Sequence, residues 1–505
     1  MVGAALAAGC IAQPVRETDN DETSSPPSGL TRPVETGGTG LDWLGANEAY
    51  VSGVADTLWA HPEPAHHEFA TSDLMVGELE RAGFVVQRGV ADLPTSFVAT
   101  YGSGRPVIGI VALLDALPGL SQVAMSTVRQ PAVDGGAGHG CGHHLICAAD
   151  LAAALAVRHE LDTGDLSGTV VLVGAPAEEI YHGGVYLVRA GVFDDMDSVL
   201  FWHPSAVTMA IGRSGLAMSS VRYRFSGRPS DGTDASALGI DAVASVEQLV
   251  HDVAQMTFPD GSVVNHVISA GGEIPSIVPE VGEAWYFVHA PNLDVVRAIL
   301  DRIGDAARAA TANGSTLDVQ LLSSTRHWLI NDRLASALQG QLAHGEPTAY
   351  SEDERALAGE MQRSFGRPIA EPFVEGVLPL DLSDEPVPIS DDSAEASWVR
   401  PRGGFLVASY PAGIASHTWQ WTALGTSSMA HKGMLMAART LVSTAVVLLT
   451  DPQLRAEIDA EFLEATRGEP YESPLPDGLR PFDVLPRPVR GIGAGPQAGF
   501  RLSPE

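Results

Sequence analysis

The stretch Gly138–His144 reads Gly-His-Gly-Cys-Gly-His-His, which concentrates imidazoles and a thiol in one short segment. Its glycines leave the backbone free to turn tightly, so that several ligand atoms can converge on one point. The alanine-rich segment Leu145–Val157 follows at once and reads as a buried helix. A rigid element of this kind is a suitable seat for a metal or catalytic site. More donors recur along the chain, each after an apolar run that reads as a strand: Asp115 after Pro106–Leu114, Glu178 and Glu179 after Thr169–Gly174, and His203 after Ser198–Trp202. Open α/β sheets place their sites at such carboxyl ends. His417 precedes a helix-like segment of core character, Ser427–Thr450.

Cys141, His143, Glu179, His203 and His417 together offer a thiolate, a carboxylate and imidazoles. Zn²⁺ or Mn²⁺ suits that set, which is too rich in nitrogen and sulfur for Mg²⁺ or Ca²⁺. The donors exceed the needs of one tetrahedral ion. Two divalent ions sharing a bridging group are therefore expected, clamping a carbonyl oxygen and activating a water. Glu178, beside a ligand, is the candidate general base. The expected reaction is hydrolysis of an amide or peptide bond. His144 follows a ligand position and reads as lining the site. His66 and His67 read as a solvent-facing loop, and His182 as a substrate contact or a helix start.

The elements that must position these groups span 505 residues, 45% of them hydrophobic, enough for two or three domains. Net charge is −32 and Lys432 is the only lysine. So acidic a surface repels phosphates and excludes non-specific nucleic-acid binding. It fits a high-salt habitat, or a GC-rich genome that favours Arg over Lys. Cys10, Cys141 and Cys147 form no disulfide framework. Met1–Cys10 resembles the tail of a lipoprotein signal with Cys10 as the lipidated residue, the one expected route to a membrane. No later stretch reads as a spanning helix.

The division expected is a signal remnant and tether over 1–40, catalytic parts over 41–215 and 326–469, and an extended, poorly ordered tail over 470–505. Residues 216–325 form a separate unit between the catalytic parts. Leu41–Ala60 and Thr71–Ala82 have helical periodicity. Between Ala217 and Leu322 the order is β-α-β-β-α-β, a ferredoxin-like α+β unit whose edges could pair into a dimer. The fold class is α/β, a mixed sheet flanked by helices and interrupted by this insertion.

The chain resembles the metallopeptidase family of aminoacylases, glutamate carboxypeptidases and auxin-conjugate hydrolases. The likeness rests on Ala60–Glu63 with Glu68-Phe69, Pro106–Gln122, Gly138–His144, Pro176–Glu179 and Gly191–Asp195. It continues through Trp202–Pro204, His417–Gln420 and Ala430–Met434. Carried over, the family's ligands fall on Cys141, His143, Glu179, His203 and His417, and its base on Glu178. Asp115 matches an acidic residue that orients the ligands. The resemblance implies a di-metal peptidase domain with an inserted lid that dimerises, a cytoplasmic location unless Cys10 is lipidated, and N-acyl or N-aroyl amino acids or small dipeptides as substrates.

Departures accompany it. Leu113 stands where the family has an acid, and Asp231 where its lid histidine reaches a partner's site. Ser276 and His289 replace the lid Asn and Arg that hold the substrate carboxylate. Two readings follow: an altered substrate with His289 or His266 substituting, or a weakened or non-catalytic metal-binding relative acting as a surface-tethered binding protein.

Overall fold

An unbroken run of aliphatic residues suits a strand covered on both faces, and Val107–Leu113 lies in the middle of a sheet. The computed structural model describes residues 30–481 apart from 165, 181–182, 234–237 and 346–347. Cys10, His182 and the end of the expected tail lie outside the described residues. In chain order the elements begin with α1 (Gly40–Ala46), α2 (Glu48–Ala60), α3 (Phe69–Arg81), β1 (Val85–Arg88), β2 (Phe97–Ser103) and β3 (Val107–Leu113). They continue with α4 (His143–Thr163), β4 (Gly168–Ala175), α5 (Gly183–Arg189), β5 (Ser198–Ser205), β6 (Met209–Ala210) and β7 (Ala217–Ser226). Then come α6 (Ala242–Ala254), β8 (Val263–Ala270), β9 (Val281–Ala290), α7 (Leu293–Ala309) and β10 (Thr316–Thr325). The chain closes with α8 (Asp332–His344), α9 (Glu352–Ser364), β11 (Arg402–Ala408), α10 (Trp419–Leu424), α11 (Ser428–Thr450) and α12 (Pro452–Thr466).

The large sheet has the order β1-β2-β4-β3-β5-β11-β6. Its centre, β4-β3-β5-β11, is parallel, and β1, β2 and β6 run antiparallel to their neighbours. α4 is buried without a break from His143 to Val157, and α11 packs along it. Small side chains on α4 let these helices and the sheet approach closely.

The insertion forms a second sheet of order β10-β7-β9-β8, antiparallel throughout, the arrangement expected of its β-α-β-β-α-β order. Along β9 alternate residues are buried, the period of a sheet covered on one face. α6 and α7 pack on this sheet, and Tyr223, Phe225, Val246, Tyr286 and Ile299 belong to a core separate from that of the large sheet.

Several expectations change. Leu41–Ala60 is two helices, because the Asn47 side chain bonds to the Trp43 carbonyl and to both backbone groups of Val34. Such local bonds compete with the helix ladder. β5 continues through His203 to Ser205. α11 is long and apolar enough to cross a membrane, contrary to the sequence reading, yet 72% of its apolar window is buried inside the protein. The first residues of the expected loose tail are packed: Leu475 is buried, and Arg189 and Arg326 donate to the carbonyls of Leu479 and Glu472.

Candidate metal centre

Four parallel strands deliver the site from their carboxyl ends. β3 leads to Asp115, β4 to Glu178 and Glu179, β5 carries His203, and β11 leads into the loop holding His417. Across from them, Cys141 precedes α4 and His143 is its first residue. Gly142 makes that approach possible. It has φ +87°, and a Cβ there would lie 2.8 Å from the Pro204 ring.

Buried Asp115 organises the cluster. Its carboxylate accepts the N–H of Glu178 at 3.1 Å and of Glu179 at 3.0 Å. Its carbonyl oxygen lies 2.8 Å from His143 Nδ1, and its Oδ1 3.3 Å from the same nitrogen. A carbonyl can only accept, so Nδ1 carries the proton and the Nε2 lone pair faces the cluster. His203 is fixed in the same way, its Nδ1 donating to the Pro204 carbonyl at 2.8 Å. His203 Nε2 then lies 3.3 Å from Cys141 Sγ. His143 Nε2 is 3.6 Å from Glu178 and 3.9 Å from Glu179. His417 Nε2 is 3.4 Å from the other Glu179 oxygen.

Two backbone positions here are strained. Ala177 and His417 both have φ +61°, which costs roughly 1–3 kcal/mol each for residues other than glycine. The His417 side chain is half exposed while those of His143 and Glu179 are buried, so the cluster opens on that side.

The donor set fits divalent metal. Donor atoms of Cys141, His143 and His203, of Cys141, Glu179 and His417, and of His143, Glu178 and Glu179 each lie within 4.8 Å of one another. His143 Nε2 and Glu179 Oε1 are buried without a hydrogen-bond partner, a costly state that a cation would relieve. Burial pushes the Glu179 carboxyl up to about 7, with His143 pulling the other way. It also raises Glu178 and the Cys141 thiol, and the neighbouring carboxylates add to both shifts. Burial lowers His203 and His417 to about 4. A bound cation reverses the rise at the carboxyls and the thiol and favours the same neutral imidazoles that burial favours.

The remaining candidates lie elsewhere. His144 is fully buried, its Nε2 3.0 Å from the Gly425 carbonyl and its ring against His139, so it does not line the site. His66 is buried as well, contrary to the surface-loop reading, and His67 is exposed. Asp231 is exposed and accepts from Thr233 N and Oγ1, while the neighbouring Ser276 is also exposed. His289 is half-buried on β9 beside Phe287.

Asp392 lies in Pro379–Ser397, an acidic, loop-like stretch in which the sequence reading singles out no residue, and so misses it. It is fully buried and accepts from Gly184 N at 2.5 Å, adding negative charge beside Glu178. Consecutive acids, Asp391 and Asp392, between predicted elements are the available signal.

Residues 114–379 match peptidase family M20/M25/M40. The chain is 32% identical to one of the subunits of the p-aminobenzoyl-glutamate hydrolase of Escherichia coli, covering 87% of this chain and 97% of that protein. It is 27% identical to a mouse Xaa-Arg dipeptidase, covering 80% and 87%. A dinuclear metal-binding peptidase from Bacillus subtilis shares the fold, with a TM-score of 0.50 and 18% identity over 80% of this chain and 99% of that one. So does an aminobenzoyl-glutamate utilization protein from Klebsiella pneumoniae, with a TM-score of 0.51 and 15% identity over 78% and 98%.

Proposed function

From the premise that the chain belongs to peptidase family M20/M25/M40 and is a metal-dependent amidohydrolase, we propose that it cleaves N-acyl or N-aroyl amino acids of the p-aminobenzoyl-glutamate kind, or small dipeptides. The observation that carries this reading is the convergence of one thiol, two glutamates and three imidazoles at the strand ends, two of the imidazoles tethered at Nδ1.

Cys141, His143, Glu179, His203 and His417 would hold two divalent ions, Zn²⁺ or Mn²⁺. Such ions supply Lewis-acid polarisation of the scissile carbonyl and make water acidic near neutral pH. Glu178 takes the proton from the attacking water and returns it to the leaving nitrogen. Asp115 keeps both glutamates and His143 in place through the bonds described above. The half-exposed His417 side is where substrate enters. His289, on the sheet face away from α6 and α7, is a small-unit candidate for a substrate contact.

A homodimer through the small sheet is part of the proposal. β8 is an edge strand, and its Val263, Val267 and Ile268 are exposed; an unpaired apolar edge favours pairing with another copy.

The test is Glu178→Gln, with metal content and hydrolysis of p-aminobenzoyl-glutamate and N-acyl amino acids measured together. We expect about two ions per chain in both proteins and a fall in kcat of about 10²–10⁴-fold in the variant. Metal binding without turnover in the wild type would favour the non-catalytic reading, for which the local engagement of Asp231 is the supporting observation. A chain that binds no metal would refute the site.

A further inference from the structure

The turn carrying Glu178 and Glu179 begins at Ala177, which is fully buried and left-handed. A residue with a Cβ holds that conformation only where its surroundings impose it. The turn presents three consecutive peptide N–H groups to two carboxylates. Asp115 takes those of Glu178 and Glu179, whereas the N–H of Ala177 goes to Glu68 Oε1 at 2.8 Å. The same oxygen accepts the His66 N–H at 2.9 Å, and Glu68 Oε2 accepts from Thr95 Oγ1 at 2.8 Å.

The position of Glu68 makes this use of its side chain unusual. It stands at the N-cap of α3, yet its carboxylate makes no capping bond to that helix. Glu63 serves the first turn instead, accepting from Ala70 N at 3.0 Å and Thr71 N at 2.8 Å. Glu68 is thereby left to point inward, completely buried. From the opposite side α5 presses on the same turn. A Cβ at Gly183 would lie 1.8 Å from the Pro176 carbonyl oxygen.

We propose that Glu68 is a positioning residue for the amide hydrolysis: by accepting the Ala177 N–H it locks the left-handed turn and so aims the side chains of Glu178 and Glu179. The proposal rests on the reading of that pair as base and metal ligand. It requires an acceptor oxygen at the right reach, which glutamine supplies and aspartate does not.

The experiment compares Glu68→Gln with Glu68→Asp in the full chain, reading kcat and KM on p-aminobenzoyl-glutamate and the visible absorption of the Co²⁺-loaded protein. Glu68→Gln should keep the bands and stay within a few-fold of wild-type kcat. Glu68→Asp keeps the charge but withdraws the acceptor. It should bind Co²⁺ with shifted bands and lose about 10²-fold in kcat, the scale of an ångström-sized misplacement, with little change in KM. Wild-type bands and kcat in Glu68→Asp would overturn the proposal, as would a Glu68→Gln protein as impaired as Glu68→Asp. Should Glu68→Asp not fold, Thr95→Val removes one anchor from Glu68: shifted bands with lower kcat support the assignment, and unchanged values overturn it. If the wild type cleaves none of the amides, the substrate reading fails while the Co²⁺ spectra still decide the role of Glu68.

Discussion

In the large sheet the acidic groups at the strand ends are buried, and the Asp115 carboxylate accepts the peptide N–H groups of Glu178 and Glu179. In the small sheet unit Asp231 is exposed, and among the described residues its carboxylate bonds within its own turn, to Thr233. One region holds its polar groups in a geometry they would not adopt alone. The other leaves them in local, solvated bonds. Buried polar networks are expensive when broken, and exposed ones are nearly neutral, so the two regions should respond very differently to substitution.

The largest effect is expected for Cys141→Ser. Loss of the thiol should lower metal content and reduce kcat/KM by more than the roughly 100-fold typical of residues that merely orient a ligand; activity unchanged at full metal occupancy would break the comparison. Asp115→Asn comes next. An amide nitrogen cannot accept, so one of the two peptide N–H groups loses its partner, and a fall of about 10–100-fold in metal affinity or activity should follow. Metal titration of the purified variant checks it. Asp231→Ala should change kcat/KM by about twofold at most, the scale of surface substitutions. A tenfold loss there would place Asp231 against substrate and erase the contrast.

Legibility in the sequence follows the same divide. The apolar runs of β3 and β4 announce central strands, and residues just beyond them must emerge at one sheet edge. That logic brings Asp115, Glu179 and His203 together from spacing alone. Alternating burial along β9 and the amphipathic α7 likewise make the small unit readable. What cannot be read depends on which way a side chain turns. His144 follows His143 immediately, yet successive positions on a helix point about 100° apart, and it faces Gly425 instead of the cluster. Glu68 belongs to a stretch that carries the family likeness, but its inward turn shows only in its burial and its bonds from Ala177 and Thr95. The break at Asn47 depends on a bond to Val34, which helical periodicity does not register.

The small unit leaves and rejoins the large one through β7 and β10, which lie side by side with Met218 opposite Thr325. Its two ends are thus about 5 Å apart, one strand spacing. For assembly of the chain, this turns a long excursion into a short link. Before the insertion folds, bringing the two catalytic segments together means closing a loop of the whole intervening length, with its entropic penalty. Once β7 and β10 have paired, that closure is complete, and the stretch carrying α8 and α9 still separates β11 from the strand β5 it docks beside.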